Sequence, residues 1–73
     1  MNIQRLVKMA NDIGDFFAAE ADRTQAAREV ASHLKRFWDP RMREQIITHC
    51  QQGGVGLSDH VRDAVGLLAE EKR

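Results

Sequence analysis

The stretch HLKRFWDPRMR at residues 33–43 decides the fold, because it contains a stop signal and a start signal for helices in immediate succession. Pro40 is the only proline of the chain, and the residue before a proline is disfavoured in the α region. A helix that reaches Phe37 must therefore end by Trp38 or Asp39. Asp39 can then accept hydrogen bonds from the first N–H groups of a new helix, and Pro40 suits its first position, where no donor is needed. The stretch thus predicts two helices joined by a tight turn.

Signals on either side of this stretch predict the remaining helix boundaries. Asp22 is a good N-cap for the helix that ends at the turn, with Gln25 as its capping-box partner. Gly53 or Gly54 can end the third helix in the left-handed conformation, and Ser58 can cap a fourth helix. We therefore expect helices at about residues 2–20, 23–37, 40–52 and 59–70.

Apolar residues recur at helical spacing in all four segments, and this periodicity predicts the core. The first helix has a broad apolar arc, so we expect it to be central or covered on two sides; its two rows are Leu6, Met9, Ile13 and Phe16, and Ile3, Val7, Ala10 and Phe17. Gly14 lies in the second row, where a neighbouring helix could approach closely. The other stripes are Ala27, Val30, Ala31, Leu34 and either Phe37 or Trp38; then Met42, Ile46 and Cys50; then Val61, Ala64, Val65 and Leu68. The sequence predicts an all-α fold, a compact bundle of three to four short antiparallel helices in a single domain over residues 1–73.

Length and cysteine content bound the class of protein. A chain of 73 residues has room for one domain, and chains this short commonly need disulfides, a metal or a partner surface. Cys50 is the only cysteine, so a disulfide within the chain is excluded. We find neither the apolar core of a signal peptide nor an 18-residue apolar span, and a lone thiol fits a reducing compartment. We expect a cytoplasmic protein with no membrane segment.

The side chains that could carry chemistry do not form catalytic or metal-binding patterns. His33, His49 and His60 lie on three different predicted helices, without the HxxxH, HExxH or CxxC spacing of metal sites, so surface or partly buried histidines are the better account. Cys50 lies on an apolar stripe, where the thiolate is disfavoured, so the sequence predicts a core thiol at this position. The GGVG run at residues 53–56 lacks the lysine and the preceding strand of a phosphate-binding loop. We predict no catalytic, cofactor-binding or metal-ligating residue.

The charge of the chain is balanced, with eleven basic and eleven acidic residues. Proteins that hold duplex DNA through its phosphates usually have a basic excess, so a nucleic-acid partner is not expected. Residues 33–43 are the local exception, with four cations against Asp39. A helix-turn-helix DNA-binding protein is therefore the alternative function; the groove-facing residues of its third helix would be Arg41, Gln45, Thr48, Gln51 and Gln52.

The same stretch suits a protein interface, because Trp, Phe, Met and Arg are enriched at interface centres. Phe37 and Trp38 are adjacent and cannot both point into one small core, and two arginines follow at the positive end of a helix dipole. In the opposing interpretation, the two aromatic residues close the end of the bundle and the arginines form salt bridges to Asp39, Glu44 or Glu29. The candidate partner-binding residues are Phe37, Trp38, Pro40, Arg41, Met42, Arg43 and Arg36, with Met9 and Phe16 from the arc of the first helix.

Three segments of the chain are recognisable together. They are residues 2–17, with NI, RLVKMAN and FF; residues 30–43, with VASHL followed by RFWDPRMR; and residues 56–62, with GLS and VR. These segments resemble the delta subunit of NAD-dependent, molybdenum-containing formate dehydrogenase over almost the whole chain. The run FWDPRMR is the most specific part of the resemblance.

The resemblance implies a non-catalytic accessory subunit of a bacterial cytoplasmic complex, which binds the large (alpha) subunit and supports its assembly, stability or molybdenum-cofactor insertion. It also implies that the redox groups belong to other subunits: molybdenum bis-pterin guanine dinucleotide and iron–sulfur clusters in alpha, and FMN, NAD and further clusters in beta and gamma. Formate oxidation to carbon dioxide with NAD⁺ reduction would occur there. A third hypothesis, that the basic cluster holds phosphates of the pterin dinucleotide, stays open, as does self-association of the isolated chain.

Overall fold

The computed structural model describes residues 2–71, which form four α-helices. They are α1 (Ile3–Phe17), α2 (Arg23–Phe37), α3 (Pro40–Gln51) and α4 (Asp59–Glu71). Every regular element in this part of the chain is helical, so the predicted all-α bundle is confirmed. None of these four helices is long and apolar enough to cross a membrane.

Carboxylate caps fix the starts of α2 and α3. Asp22 Oδ1 accepts hydrogen bonds from the backbone N–H groups of Thr24 at 2.9 Å and Gln25 at 3.2 Å. Asp39 Oδ1 accepts one from the Met42 N–H at 2.9 Å. The predicted capping box at α2 is wrong, because the Gln25 side chain donates to Glu29 at 3.4 Å, one turn further along the helix.

The turn between α2 and α3 follows from Pro40 at the first position of α3. Asp39 is extended, with φ −74° and ψ 165°, as the residue before a proline prefers. Trp38 is also extended, and its N–H makes the last helical hydrogen bond of α2, to the Leu34 carbonyl at 3.0 Å. The change from one helix to the next is therefore completed within two extended residues, Trp38 and Asp39.

Two glycines end α3 in a Schellman motif. The Gly54 N–H donates to the His49 carbonyl at 3.0 Å, and the Gly53 N–H donates to the Cys50 carbonyl at 3.2 Å. Both glycines have positive φ, 116° at Gly53 and 64° at Gly54, where a side chain would be strained. The predicted left-handed cap therefore uses both residues.

The first helix is shorter than expected, since α1 ends at Phe17 although the sequence pattern extends it to about residue 20. The Ala18 N–H bonds to Asp15, three residues back, which tightens the last turn. The Gly14 carbonyl, which a continuing helix would offer to Ala18, accepts instead from the His60 ring Nε2 of α4 at 2.9 Å. A contact between distant parts of the sequence thus accompanies the end of α1.

The core contains one stripe from each helix, and the stripes of α2 and α4 lie where the periodicity predicts them. Apart from Ala26, the buried apolar residues of the described chain form one cluster, comprising Leu6, Ala10, Ala27, Val30, Ala31, Leu34, Trp38, Ile46, Ile47, Leu57, Val61, Ala64, Val65 and Leu68. Of the two candidates at the end of α2, Trp38 is the buried one. The first predicted row of α1 fails at its end, because Phe16 lies in solvent; Met42 and Cys50 of α3 are only half-buried.

The 52–58 loop between α3 and α4 is held by side chains from three helices. The Asn11 amide of α1 donates to the Gly56 carbonyl at 2.8 Å and accepts from the Ser58 N–H at 3.1 Å. His49 Nε2 donates to the Val55 carbonyl at 2.8 Å, and Arg62 Nη2 donates to the Gly54 carbonyl at 3.2 Å. The predicted cap at Ser58 is wrong in part. Its carbonyl accepts the first helical bond of α4, from the residue 62 N–H, but its buried hydroxyl has no hydrogen-bond partner.

Candidate interaction surface

Four ring side chains form a continuous strip across α1 and α2. The Phe16 and Phe17 rings meet edge to face, with centroids 5.0 Å apart. The centroid of the Phe17 ring is 6.2 Å from that of the His33 ring of α2, and the His33 centroid is 4.6 Å from that of Phe37. We name Phe16, Phe17, His33 and Phe37 the aromatic strip.

The local sequence explains how the strip forms. Phe16 and Phe17 are consecutive, so they point about 100° apart on α1 and only Phe17 reaches the core. His33 and Phe37 are four residues apart and therefore lie on the same face of α2. The two ends of the strip are exposed, with 79% of Phe16 and 67% of Phe37 in contact with solvent, while Phe17 and His33 are half-buried. The strip is thus anchored at its centre and open at its ends.

A cation lies at one end of the aromatic strip. The Arg36 guanidinium carbon is 5.8 Å from the centroid of the Phe37 ring, within cation–π range. Within residues 2–71, ion pairs join Lys8 to Asp12, Arg23 to Asp63 and Lys35 to Glu71, whereas Arg36 forms none. The strip therefore combines exposed aromatic surface with a positive charge that no described carboxylate neutralises.

Two of the predicted partner-binding residues are used inside the bundle. Trp38 is only 5% exposed and belongs to the core. Arg43 Nη1 donates to the Lys35 carbonyl at 2.9 Å and to the Trp38 carbonyl at 2.6 Å. These carbonyls belong to the end of α2, where the helix dipole is negative. Arg43 therefore lies at the start of α3 because it caps the preceding helix.

The other predicted residues are divided between different parts of the surface. Met9 and Met42 are half-buried and pack against the core, and Pro40 is exposed. Arg41 is exposed and lines an open groove of about 740 Å³ along α3; Gln45, Thr48, His49 and Gln52 also line it. Of the nine predicted partner-binding residues, three belong to the aromatic strip or contact it through a ring or cation–π interaction: Phe16, Phe37 and Arg36.

Sequence reasoning missed Phe17 and His33 as members of the surface. The spacing of His33 and Phe37 indicates a shared helix face, and that signal was available in the sequence. The contact between Phe17 and His33 joins residues of different helices, so no local pattern could show it.

Two histidines and a lysine outside the strip make contacts within the bundle. His49 and His60 bind backbone carbonyls, and within residues 2–71 no three His, Cys, Asp or Glu residues are grouped to hold a metal ion. The exposed Lys8 donates a hydrogen bond to Asp12, and this bond together with Coulombic attraction raises the pKa of the Lys8 ammonium. The two histidines thus hold a loop and a neighbouring helix in place, and Lys8 pairs with Asp12 along α1.

Comparison with known proteins places the chain in a family. The sequence model of the NADH-dependent formate dehydrogenase delta subunit FdsD matches residues 5–65, a range that contains the whole aromatic strip. Neither a curated protein nor a solved structure matches the chain. A match over most of its length shows that the chain belongs to the delta subunit family of NADH-dependent formate dehydrogenases.

Proposed function

We propose that this chain is a non-catalytic accessory subunit of a cytoplasmic formate dehydrogenase complex. It binds the large molybdenum-containing subunit and supports the assembly, stability or cofactor loading of that subunit. The molybdenum pterin, the iron–sulfur clusters and FMN belong to partner subunits, where formate is oxidised and NAD⁺ is reduced. The chain contributes surface and no reacting group.

The observation that supports this proposal best is the exposed aromatic strip within the family match. Two phenylalanines in solvent contribute nothing to the core of a bundle that has few apolar residues to spare. Clustered aromatic residues beside an arginine have the composition of an interface centre. The strip is therefore better explained by binding than by folding.

The helix-turn-helix alternative finds less support in the same geometry. Its recognition helix would be α3, whose exposed face carries Arg41. Arg43 is bound to the carbonyls of α2 and is not free for a phosphate. Because duplex DNA is held largely by several cationic contacts to phosphates, a face with so few free cations is a poor candidate.

The proposal is tested by producing the complex with and without this chain in one expression host. We expect the large subunit to co-purify with the tagged chain. Without the chain, we expect the molybdenum content and formate-dependent NAD⁺ reduction of the purified enzyme to fall together by severalfold. Molybdenum is measured by mass spectrometry and compared with the iron content, which separates a loading defect from loss of the whole protein.

A full complement of molybdenum and full activity without the chain, together with no co-purification, would refute the proposal. Steep salt-dependent binding of the purified chain to random duplex DNA would favour the alternative.

A further inference from the structure

Resting on the proposed function, we infer that the aromatic strip is the docking surface for the large subunit. The matching patch on that subunit is apolar and carries a carboxylate where it meets Arg36. This assigns the chemistry of the partner as well as the residues of this chain that recognise it.

The aromatic strip offers apolar surface whose centre is already fixed before binding. The strip has half-buried rings at its centre, Phe17 and His33, and freely exposed rings at its ends, Phe16 and Phe37. The central rings are fixed by contacts between α1 and α2, so ordering them on binding requires little further loss of side-chain freedom. Aromatic residues that are already positioned in this way are typical hot spots.

The positive charge of Arg36 beside the strip indicates what the partner carries opposite it. Among residues 2–71, Arg36 has no carboxylate partner, as is also true of the exposed Arg5, Arg28 and Arg41, but Arg36 is the arginine whose guanidinium lies over a ring of the strip. An apolar partner patch that covered Phe37 would also desolvate the guanidinium above it, which is unfavourable unless an anion replaces the water. A partner carboxylate meets this need, because arginine pairs with carboxylates through two parallel hydrogen bonds.

The area of the strip favours the large subunit over a second copy of the chain as its partner. Full burial of an aromatic side chain removes about 150–250 Å² from solvent, and two of the four rings are already half-buried, so the strip offers roughly 400 Å² or less. A stable interface buries about 800 Å² on each partner. Two strips facing each other would therefore make a weak dimer, whereas a larger protein can cover the strip and the surface around it.

The experiment is a competition within the assembled complex. Wild-type chain and a variant chain, carrying different tags, are co-expressed with the other subunits, and their ratio in the purified complex is measured by mass spectrometry. For Phe16→Ser combined with Phe37→Ser we expect the ratio of variant to wild type to fall roughly 30-fold. The matched control is Val55→Ser, which changes an equally exposed apolar residue in the 52–58 loop and should leave the ratio near one.

The charge is tested by a graded pair of substitutions. Arg36→Gln should lower the ratio by about threefold, and Arg36→Glu should lower it further because it places two negative charges together. Arg28→Gln and Arg28→Glu are the controls, since Arg28 is exposed in the groove between α2 and α4. If the incorporation ratio of Arg36→Glu equals or exceeds that of Arg36→Gln, the inference that the partner carries a carboxylate opposite Arg36 is refuted.

The other outcomes separate the inference from the proposed function. Normal incorporation of the double phenylalanine variant overturns the docking surface and leaves the accessory role standing. Absence of the wild-type chain from the complex overturns the docking surface, and it refutes the proposed function as well if the enzyme made without the chain has its full molybdenum content and activity. A wild-type chain that is dimeric in sedimentation experiments, and monomeric after the double substitution, assigns the strip to a second copy and overturns the inference. Circular dichroism of each variant confirms that its helices are intact.

Discussion

At the scale of single residues, Gly14 shows how the bundle depends on one absent side chain. Gly14 is buried in α1, opposite Val61 and His60 of α4. A Cβ atom there would collide with Val61 Cγ2 and would lie 2.9 Å from His60 Nε2. The glycine lowers helix propensity, and in return it lets α4 approach closely enough for the His60 ring to bind its carbonyl.

Gly14→Ala should therefore destabilise the protein by about 1–3 kcal/mol, because overpacking against a branched side chain outweighs the gain in helix propensity. Gly66→Ala is the matched control, since a Cβ atom at this exposed position of α4 meets nothing within 4 Å. It should stabilise the protein by about 0.5–1 kcal/mol. Urea unfolding measures both; a stabilising effect at both positions would contradict the close approach.

At the scale of elements, the α2–α3 turn is held by reciprocal capping. Asp39 caps the start of α3, and Arg43 on the next turn of α3 reaches back to the last carbonyls of α2. Trp38, between them, fills the core below the turn. The charges of Asp39 and Arg43 thus act between helix ends, and the run FWDPRMR has a structural explanation at four of its positions, Trp38, Asp39, Pro40 and Arg43.

Arg43→Gln should lower the free energy of unfolding by about 1–3 kcal/mol, because two carbonyls of α2 lose a charged donor. Arg41→Gln, two residues earlier on the same helix, should change it by less than about 0.5 kcal/mol, since its side chain is exposed. Thermal unfolding of both variants compares them directly. Equal losses would show that the effect comes from net charge and not from the contacts of Arg43.

At the scale of the whole molecule, a partner should add stability that so small a core lacks. A bundle of this size buries a limited fraction of its surface, so its own margin is small. A partner that binds only the folded state stabilises the whole bundle against global unfolding. It therefore slows the exchange of every amide hydrogen that exchanges only when the bundle unfolds globally.

With the partner subunit at about one hundred times its dissociation constant, we expect about 2.7 kcal/mol of added stability. The slowest-exchanging amides, in the buried stripes of α2 and α4, should then exchange about 100-fold more slowly. Hydrogen exchange followed by mass spectrometry measures this change. Unchanged exchange in α4, with slowing confined to the surface, would show that binding is not linked to global folding.

The sequence predicted the helices and their starts better than it predicted which residues form the candidate surface. The starts of α2 and α3 were readable because Asp22 and Asp39 act locally. The end of α1 was not, since Ala18 and Ala19 are good helix formers and the Gly14 carbonyl is engaged by a residue of α4. Local signals determine where helices begin, whereas this end depends on tertiary contact.

The candidate site shows the same division. Composition pointed to the Phe37–Arg43 stretch, and the structure separates its neighbours: Phe37 faces solvent and Trp38 faces the core. Residue type alone cannot distinguish them, because a helix end turns adjacent side chains in different directions. Phe17 and His33 join the surface only when α1 and α2 pack together.

The 52–58 loop has a consequence for how two copies of the chain can meet. Exchange of a terminal helix between copies requires the loop before it to open as a hinge. This loop contains three glycines with positive φ, yet side chains of α1, α3 and α4 tie its backbone in place. Opening it would break these bonds together, so the structure opposes domain swapping of α4. Helix α4 is thereby retained within its own bundle, and pairing of two copies through exchange of this helix is disfavoured.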